Sequence, residues 1–302
     1  MAESSDESGA RPAPRVGVVT VAYRSNAVLE KLLASLADAS TEPLSVVVVD
    51  NFPGDDESAS PIAHRFGATY VARPENPGYG AAINAGQPFL PQSVEWVLIC
   101  NPDLELAPGS IDALLATAET DARIASVGPA ILNIDGSVYP SARRVPSLRT
   151  GVGHALFANI WQSNPWTKAY KQDSTDALTR RDAGWLSGAC LLVRRAAFTD
   201  TGGFDEGYFM YFEDVDLGYR FGKAGWRNVF EPSARATHIG GHSTAGSSAR
   251  MVRAHHDSAR QFVNRKYTGG QWWPVRTVLN IGLSVRSRVQ VRAVEKGARR
   301  GS

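Results

Sequence analysis

VGVVTVAY at residues 16–23 and LSVVVVD at 44–50 are β-rich runs, apolar on both faces. Between them Leu29, Leu32, Leu33 and Leu36 recur at the spacing of one helix face. The order is β-α-β. Outward from that unit the alternation continues with a helix near 58–66, a short strand ATYVA (68–72), a helix from about Tyr79 that Pro88 stops, and a strand VEWVLICNPD (94–103). Strands apolar on both faces and separated by helices predict an α/β protein whose parallel sheet is covered on two sides, with ligands bound beyond the strands' carboxyl ends.

The pattern then loosens over about 132–183, an aromatic, loop-rich stretch. It resumes with LSGACLLVRR (186–195), the acidic YFEDVDLGYR (211–220), a helix to about Ala224 and short strands near 228–230 and 235–239. A helix from about Ser247 to Tyr267 follows, then a basic tail. Residues 1–14, polar with two prolines, read as a disordered lead-in.

The chain has 302 residues, 43% hydrophobic and 21% charged, enough to bury a real core and unlike a disordered or fibrous chain. No run of about 18 apolar residues is present, and MAESSDESGARPAP lacks an apolar signal core, so neither a spanning helix nor export is expected. Cys100 and Cys190 are the only cysteines and predict no disulfide framework. Charge is uneven. Residues 250–302 hold twelve Lys or Arg against Asp257 and Glu295, a net +10 that leaves the rest of a +2 chain at −8. A polyanion is therefore expected at the C-terminal end, and nothing in the tail singles out nucleic acid.

Four groups of residues bear chemistry. Asp50 and Asn101-Pro102-Asp103 fall at strand carboxyl ends. Asp50 could meet a base or ribose or cap its own loop, and Asp103 could hold an oxygen-preferring cation or belong to a simple turn. Asn76-Pro77-Gly78-Tyr79-Gly80 opens a helix, where free N–H groups can face phosphate or where glycine permits close packing. It is no dinucleotide fingerprint, because Ile83 stands where the third glycine would be, which disfavours a nicotinamide-dependent dehydrogenase. Glu213, Asp214 and Asp216 sit among Tyr208, Phe209, Tyr211 and Phe212, a setting that raises a carboxylate pKa and prepares a general base; capping of the helix is the alternative. His238 ends a short strand, and Trp185, Trp272 and Trp273 could stack on sugar or sit in the core.

Taken in order, these residues resemble the inverting, nucleotide-sugar-dependent glycosyltransferases of family 2 with a GT-A fold, over roughly residues 16–240. DGSVYPSARRVPSL (135–148), NPWTKAY (164–170), GWLSGACLLVRR (184–195) and GGFDEGYFMYFEDVDLGYR (202–220) resemble, within that family, actinobacterial rhamnosyltransferases of the cell-wall linker. The resemblance implies a Rossmann-like, mostly parallel sheet with helices on both faces and a C-terminal helical basic extension. It divides the chain into a nucleotide-sugar-binding half at 15–130, an acceptor-binding and catalytic half at 131–246, and a membrane-proximal helix and tail at 247–302.

Carried over residue by residue, the resemblance makes Asp214 the catalytic base and gives Glu213, Trp185 and Asp216 to the acceptor. Asp50, Asn76, Gly78, Asn84 and Asp103 go to the nucleotide, and Asp103 with His238 to a divalent cation, Mg²⁺ or Mn²⁺. It implies a dTDP-L-rhamnose donor, a polyprenyl diphosphate-linked N-acetylglucosamine acceptor, and a cytoplasmic enzyme peripheral on the anionic inner face of the cell membrane. Two residues depart from the pattern: Asn101 replaces the first Asp of D-x-D, and Pro53 stands where Ser is common. In the tail Val275, Val278, Leu279, Val285 and Val289 would share a helix face, but Arg286 and Lys296 fall on it too, so one clean interfacial helix is not expected. Competing readings are a catalytically dead sugar-nucleotide-binding scaffold, and a nucleotidyltransferase, whose glycine- and lysine-bearing N-terminal loop is missing between Val16 and Asn26.

Overall fold

The computed structural model describes residues 12–54, 56–147, 179–239 and 249–300, with side chains to residue 296. Expectations for the lead-in and for NPWTKAY therefore fall wholly or largely outside the described residues. The chain runs β1 (Val16–Ala22), α1 (Asn26–Ala39), β2 (Leu44–Asp50), α2 (Ser60–Arg65), β3 (Thr69–Ala72), α3 (Tyr79–Gly86), β4 (Trp96–Cys100), β5 (Leu104–Leu106), α4 (Ser110–Ala118) and β6 (Ile124–Leu132). After these come β7 (Val138–Tyr139), β8 (Ala142–Arg143), β9 (Arg181–Ala183), β10 (Trp185–Leu186), β11 (Cys190–Arg194), α5 (Arg195–Asp200), α6 (Glu213–Lys223), β12 (Arg227–His238), α7 (Ala249–Lys266) and α8 (Trp273–Arg300).

One sheet has the order β3-β2-β1-β4-β11-β6-β12-β5. The first four strands are parallel, which brings four carboxyl ends to one edge. β11 then enters antiparallel between β4 and β6, so the sheet is mixed where the sequence pattern alone led to a parallel one. β6 crosses residue 130, and the expected boundary between the two halves thus lies inside a continuous sheet.

Period-two side chains fill both faces. Val16, Val18, Val48 and Leu98 pack with the Leu29, Leu32, Leu33 and Leu36 face of α1; Val19, Val21, Val47, Val49 and Ile99 pack with Ile83 of α3 and with Phe198 and Phe221. Each such side chain contributes about 1.5–3 kcal/mol on burial. Cys100 and Cys190 come opposite each other across β4 and β11, both buried and both free thiols.

Two expectations change. The short strands near 228–230 and 235–239 are one strand, β12, whose register breaks between Glu231 and Arg235. The basic tail is one 28-residue helix, α8, laid against α7, with His256 Nε2 and Gln290 Oε1 2.8 Å apart between them. Val275 and Leu279 are half-buried, while Val278, Ile281, Val285 and Val289 lie exposed on another face. Among the described residues no helix is long and apolar enough to cross a membrane.

Candidate active site

β5 pairs antiparallel with β12, setting His238 opposite Leu104. That register brings the His238 Nε2 to 3.0 Å from Asp103 Oδ2, and the Ile239 N–H bonds the Asp103 carbonyl at 2.9 Å. The Asp103 carboxylate beside it raises the His238 pKa. Asp103 Oδ1 is buried with no partner. An orphaned carboxylate oxygen next to an imidazole nitrogen suits a divalent cation with room for further oxygen ligands. No group of three or more His, Cys, Asp or Glu gathers among the described residues, which offer two ligands there.

The neighbouring backbone leads to the acidic segment. Asn101 N–H donates to the Ala189 carbonyl at 2.8 Å, joining the Asp103 loop to the start of β11. One residue back, Gly188 N–H donates to Asp214 Oδ2 at 2.9 Å, and Val215 N–H donates to Asp214 Oδ1 at 2.8 Å. Tyr79 hydroxyl donates to the Gly188 carbonyl at 2.8 Å. Burial raises the Asp214 pKa, against the two N–H donors and the nearby positive charge of Arg143. Glu213, buried beside it, is pushed up to about 8 by burial and by the Asp214 charge, and its Oε2 has no partner. Asp214 thus meets one N–H in the first turn of α6 and one from outside the helix.

The turn before α6 is strained. Tyr211 and Phe212 both have positive φ, 69° and 67°, which costs on the order of 1–3 kcal/mol each for side chains of this kind. α7 holds it. His255 lies edge-on to both rings at 5.4 and 5.5 Å, Ser258 Oγ donates to the Met210 carbonyl at 2.8 Å, and Phe262 packs with buried Tyr208 and Val215. Arg265 pairs with Asp205 before the turn and lies 3.3 Å from Asp216 after it.

Several expected site residues prove to have other partners. Asp216, expected at the acceptor, is fully buried and bonded to Arg220 Nε at 2.6 Å, so its carboxylate is engaged inside the fold. Asp50 accepts from Phe52 N–H (2.9 Å), Ala59 N–H (2.8 Å) and Tyr70 hydroxyl (3.1 Å), so it organises its own loop. Asn84 bonds both backbone groups of Phe204, at 2.9 and 2.8 Å, and supports the loop before the acidic segment. Gly78, at φ 98°, lies so close to Phe209 that any Cβ would overlap its carbonyl, and Tyr79 N–H bonds that same oxygen at 3.0 Å. Close packing thus accounts for the glycine.

Asn76 Oδ1 takes a 3.2 Å bond from Asn51. Trp185 donates from its indole N–H to the Arg144 carbonyl at 3.1 Å and presses against Gly218 of α6. Sequence reasoning passed over Tyr79, Gly188, Arg143, His255 and Arg265. Of these Tyr79, Gly188 and Arg143 lay inside quoted motifs without a role of their own, and His255 and Arg265 gain their positions from distant segments.

The family described as "Glycosyltransferase like family 2" matches residues 13–256. The chain is 43% identical, over 94% of its length and 95% of the relative's, to N-acetylglucosaminyl-diphospho-decaprenol L-rhamnosyltransferase of Mycobacterium tuberculosis. It is 25% identical to rhamnosyltransferase WbbL of Escherichia coli K12, over 83% and 93%. Among solved structures it is similar to GalNAc-T7 crystallised with UDP, GalNAc and Mn²⁺, at a TM-score of 0.57 and 16% identity over 90% of this chain and 55% of that one. A mannosyltransferase of Pyrobaculum calidifontis in complex with GDP-Man and Mn²⁺ gives 0.55 and 16%, over 96% and 76%. These likenesses show the fold, the GT-A arrangement that the resemblance implied.

Proposed function

Since the chain belongs to glycosyltransferase-like family 2, we propose that it transfers L-rhamnose from dTDP-L-rhamnose, with inversion, onto N-acetylglucosaminyl diphosphoryl polyprenol in cell-wall linker synthesis. The observation that carries this reading is the Asp214 carboxylate, fixed by Gly188 and Val215 N–H groups one backbone step from Ala189, whose carbonyl ties down the Asp103 loop with His238 of β12 beside it. The 43% identical mycobacterial relative supports the choice of sugar and acceptor.

The acceptor hydroxyl is a poor nucleophile. Asp214 takes its proton as the new carbon–oxygen bond forms, and attack opposite the leaving group turns a β-linked donor into an α-rhamnoside. Glu213, buried beside the base, keeps its proton near neutral pH and leaves Asp214 as the ionised member of the pair. Asp103 and His238 would hold Mg²⁺ or Mn²⁺, which when bound neutralises charge on the departing nucleoside diphosphate. Asn76 and Gly78 shape the nucleotide side by fixing the loop into α3, while Asp50 orders the loop after β2 and Asn84 the loop before the acidic segment.

We place the enzyme peripherally on the anionic inner face of the membrane, where its lipid acceptor resides. Exposed Trp273, Val278, Ile281, Val285 and Val289 with nearby Arg286, Arg288 and Arg292 support α8 as the docking element. A panel of nucleotide sugars with purified protein, a short polyprenyl diphosphate N-acetylglucosamine and mass detection tests the assignment. Product from dTDP-rhamnose alone upholds it. Product only from another donor makes this a transferase of a different surface glycan, and binding without transfer makes it a scaffold.

A further inference from the structure

The ribbon of β8 and β10 has no part in the chemistry so far. It sets Arg143 opposite Trp185, with Gly184 N–H bonded to the Arg143 carbonyl at 2.9 Å. The Arg143 guanidinium lies 6.0 Å from the Trp185 ring centroid, and its Nε donates to the Pro140 carbonyl at 3.0 Å. It forms no ion pair with any described carboxylate, Asp214 included. Its charge nonetheless reaches Asp214, holding that carboxyl lower than burial alone would. Trp185 stands three residues before Gly188, the donor to Asp214, and packs on α6 one turn beyond the base.

The group is thus a half-buried cation whose ring-facing side and Nε are used, while its two terminal nitrogens are uncommitted among the described residues. It stands on the ribbon whose Trp185 packs against α6 one turn beyond the base, and forms no ion pair with that base among the described residues. An acceptor that offers a hydroxyl to Asp214 carries its diphosphate one sugar ring away. A planar fork of N–H donors matches phosphate oxygens two at a time, which a lysine cannot do.

We propose that Arg143, backed by Trp185, binds the diphosphate of the acceptor and selects lipid diphosphate sugars over uncharged glycosides. The inference rests on the acceptor reading above. It gives SARR a role in recognition, and makes Trp185 a platform for the arginine rather than for the sugar.

The test is steady-state transfer by the full chain onto two acceptors, a short polyprenyl diphosphate N-acetylglucosamine and an uncharged alkyl N-acetylglucosaminide. Arg143→Gln should raise KM for the diphosphate acceptor about 10- to 100-fold, the scale of losing a charge-assisted pair of hydrogen bonds. KM for the neutral acceptor should change less than about threefold, and Arg143→Lys should restore part of the difference. With the neutral acceptor, the acid limb of kcat in Arg143→Gln should move to higher pH, because Asp214 loses a nearby positive charge; that shift also marks a folded site. Equal loss on both acceptors, with wild type favouring the diphosphate, overturns the assignment to Arg143 and leaves the acceptor reading standing. Indifference of wild type to the diphosphate overturns both.

Discussion

Asp214 Oδ2 accepts a 2.9 Å hydrogen bond from Gly188 N–H, so the proposed base on α6 is tied to the residue just before β11. A second N–H, from Val215, holds the other oxygen. Each oxygen keeps a lone pair, and the carboxylate cannot rotate away. Asp214→Asn turns an NH₂ toward one of these donors and removes the proton acceptor. We expect turnover to fall by about two orders of magnitude or more, with donor affinity, followed by calorimetry, within a few-fold of wild type. A variant that keeps about a tenth of the rate would remove Asp214 from the role.

Burial raises Asp214 and Glu213 together, with opposite bearing on activity and stability. As the proposed base Asp214 has to be ionised, so kcat should fall on acidification with a midpoint above the ordinary carboxylate value of about 4. Glu213 keeps its proton in the folded chain to about 8. The unfolded chain ionises there from about 4.3, so this group's contribution to stability is lost as pH rises between those values. Urea melts against pH should show that decline, and Glu213→Gln should flatten it.

Arg220 is the partner that makes Asp216 tolerable in the interior, and it also donates to the Thr201 and Gly203 carbonyls at 2.7 and 2.8 Å. Arg220→Met should cost on the order of 3 kcal/mol by leaving the buried carboxylate with Arg265 alone. The double variant with Asp216→Leu should recover part of that loss in denaturant melts. If Asp216→Asn lowered only acceptor affinity, with stability intact, the buried pair would have been misjudged.

Chelation of divalent cations should stop transfer. Asp103→Asn and His238→Ala should each raise the Mn²⁺ concentration needed for half-maximal rate, and saturating Mn²⁺ should recover more of the His238→Ala rate, since Asp103 supplies the charge. Full rates for both variants in chelator would exclude the pair as ligands.

On α8, Ile281→Glu with Val285→Glu should weaken sedimentation with anionic liposomes and slow transfer to long-chain acceptor more than to a short analogue. Added salt should weaken wild-type binding through Arg286, Arg288 and Arg292. Equal slowing on both acceptors would make the exposed stripe part of the fold.

What could be read from the sequence follows from where side chains are buried. β1, α1 and β2 were legible because two covered faces force continuous valine runs and one helix face forces a leucine repeat. β12 was read as two pieces since Pro232 and Ser233 interrupt its apolar pattern at the register break. A C-terminal helical extension was expected, but not that α8 runs as one helix, because Arg286 and Lys296 fall on the face assembled from the sequence, whereas the folded helix buries one side on α7 and exposes another. Asp214 and Asp216 are the same residue type two positions apart. Only Gly188 on one side, and Arg220 with Arg265 on the other, tell them apart, and those partners come from other parts of the fold.

The brace from α7 to the strained Tyr211-Phe212 turn also orders events in time. Chain synthesis delivers Asp214 well before His255, Ser258 and Arg265, so the sheet can be complete while the turn that aims the base still lacks its support. A chain lacking α7 would carry Asp214 behind two positive-φ residues that nothing else among these contacts supports.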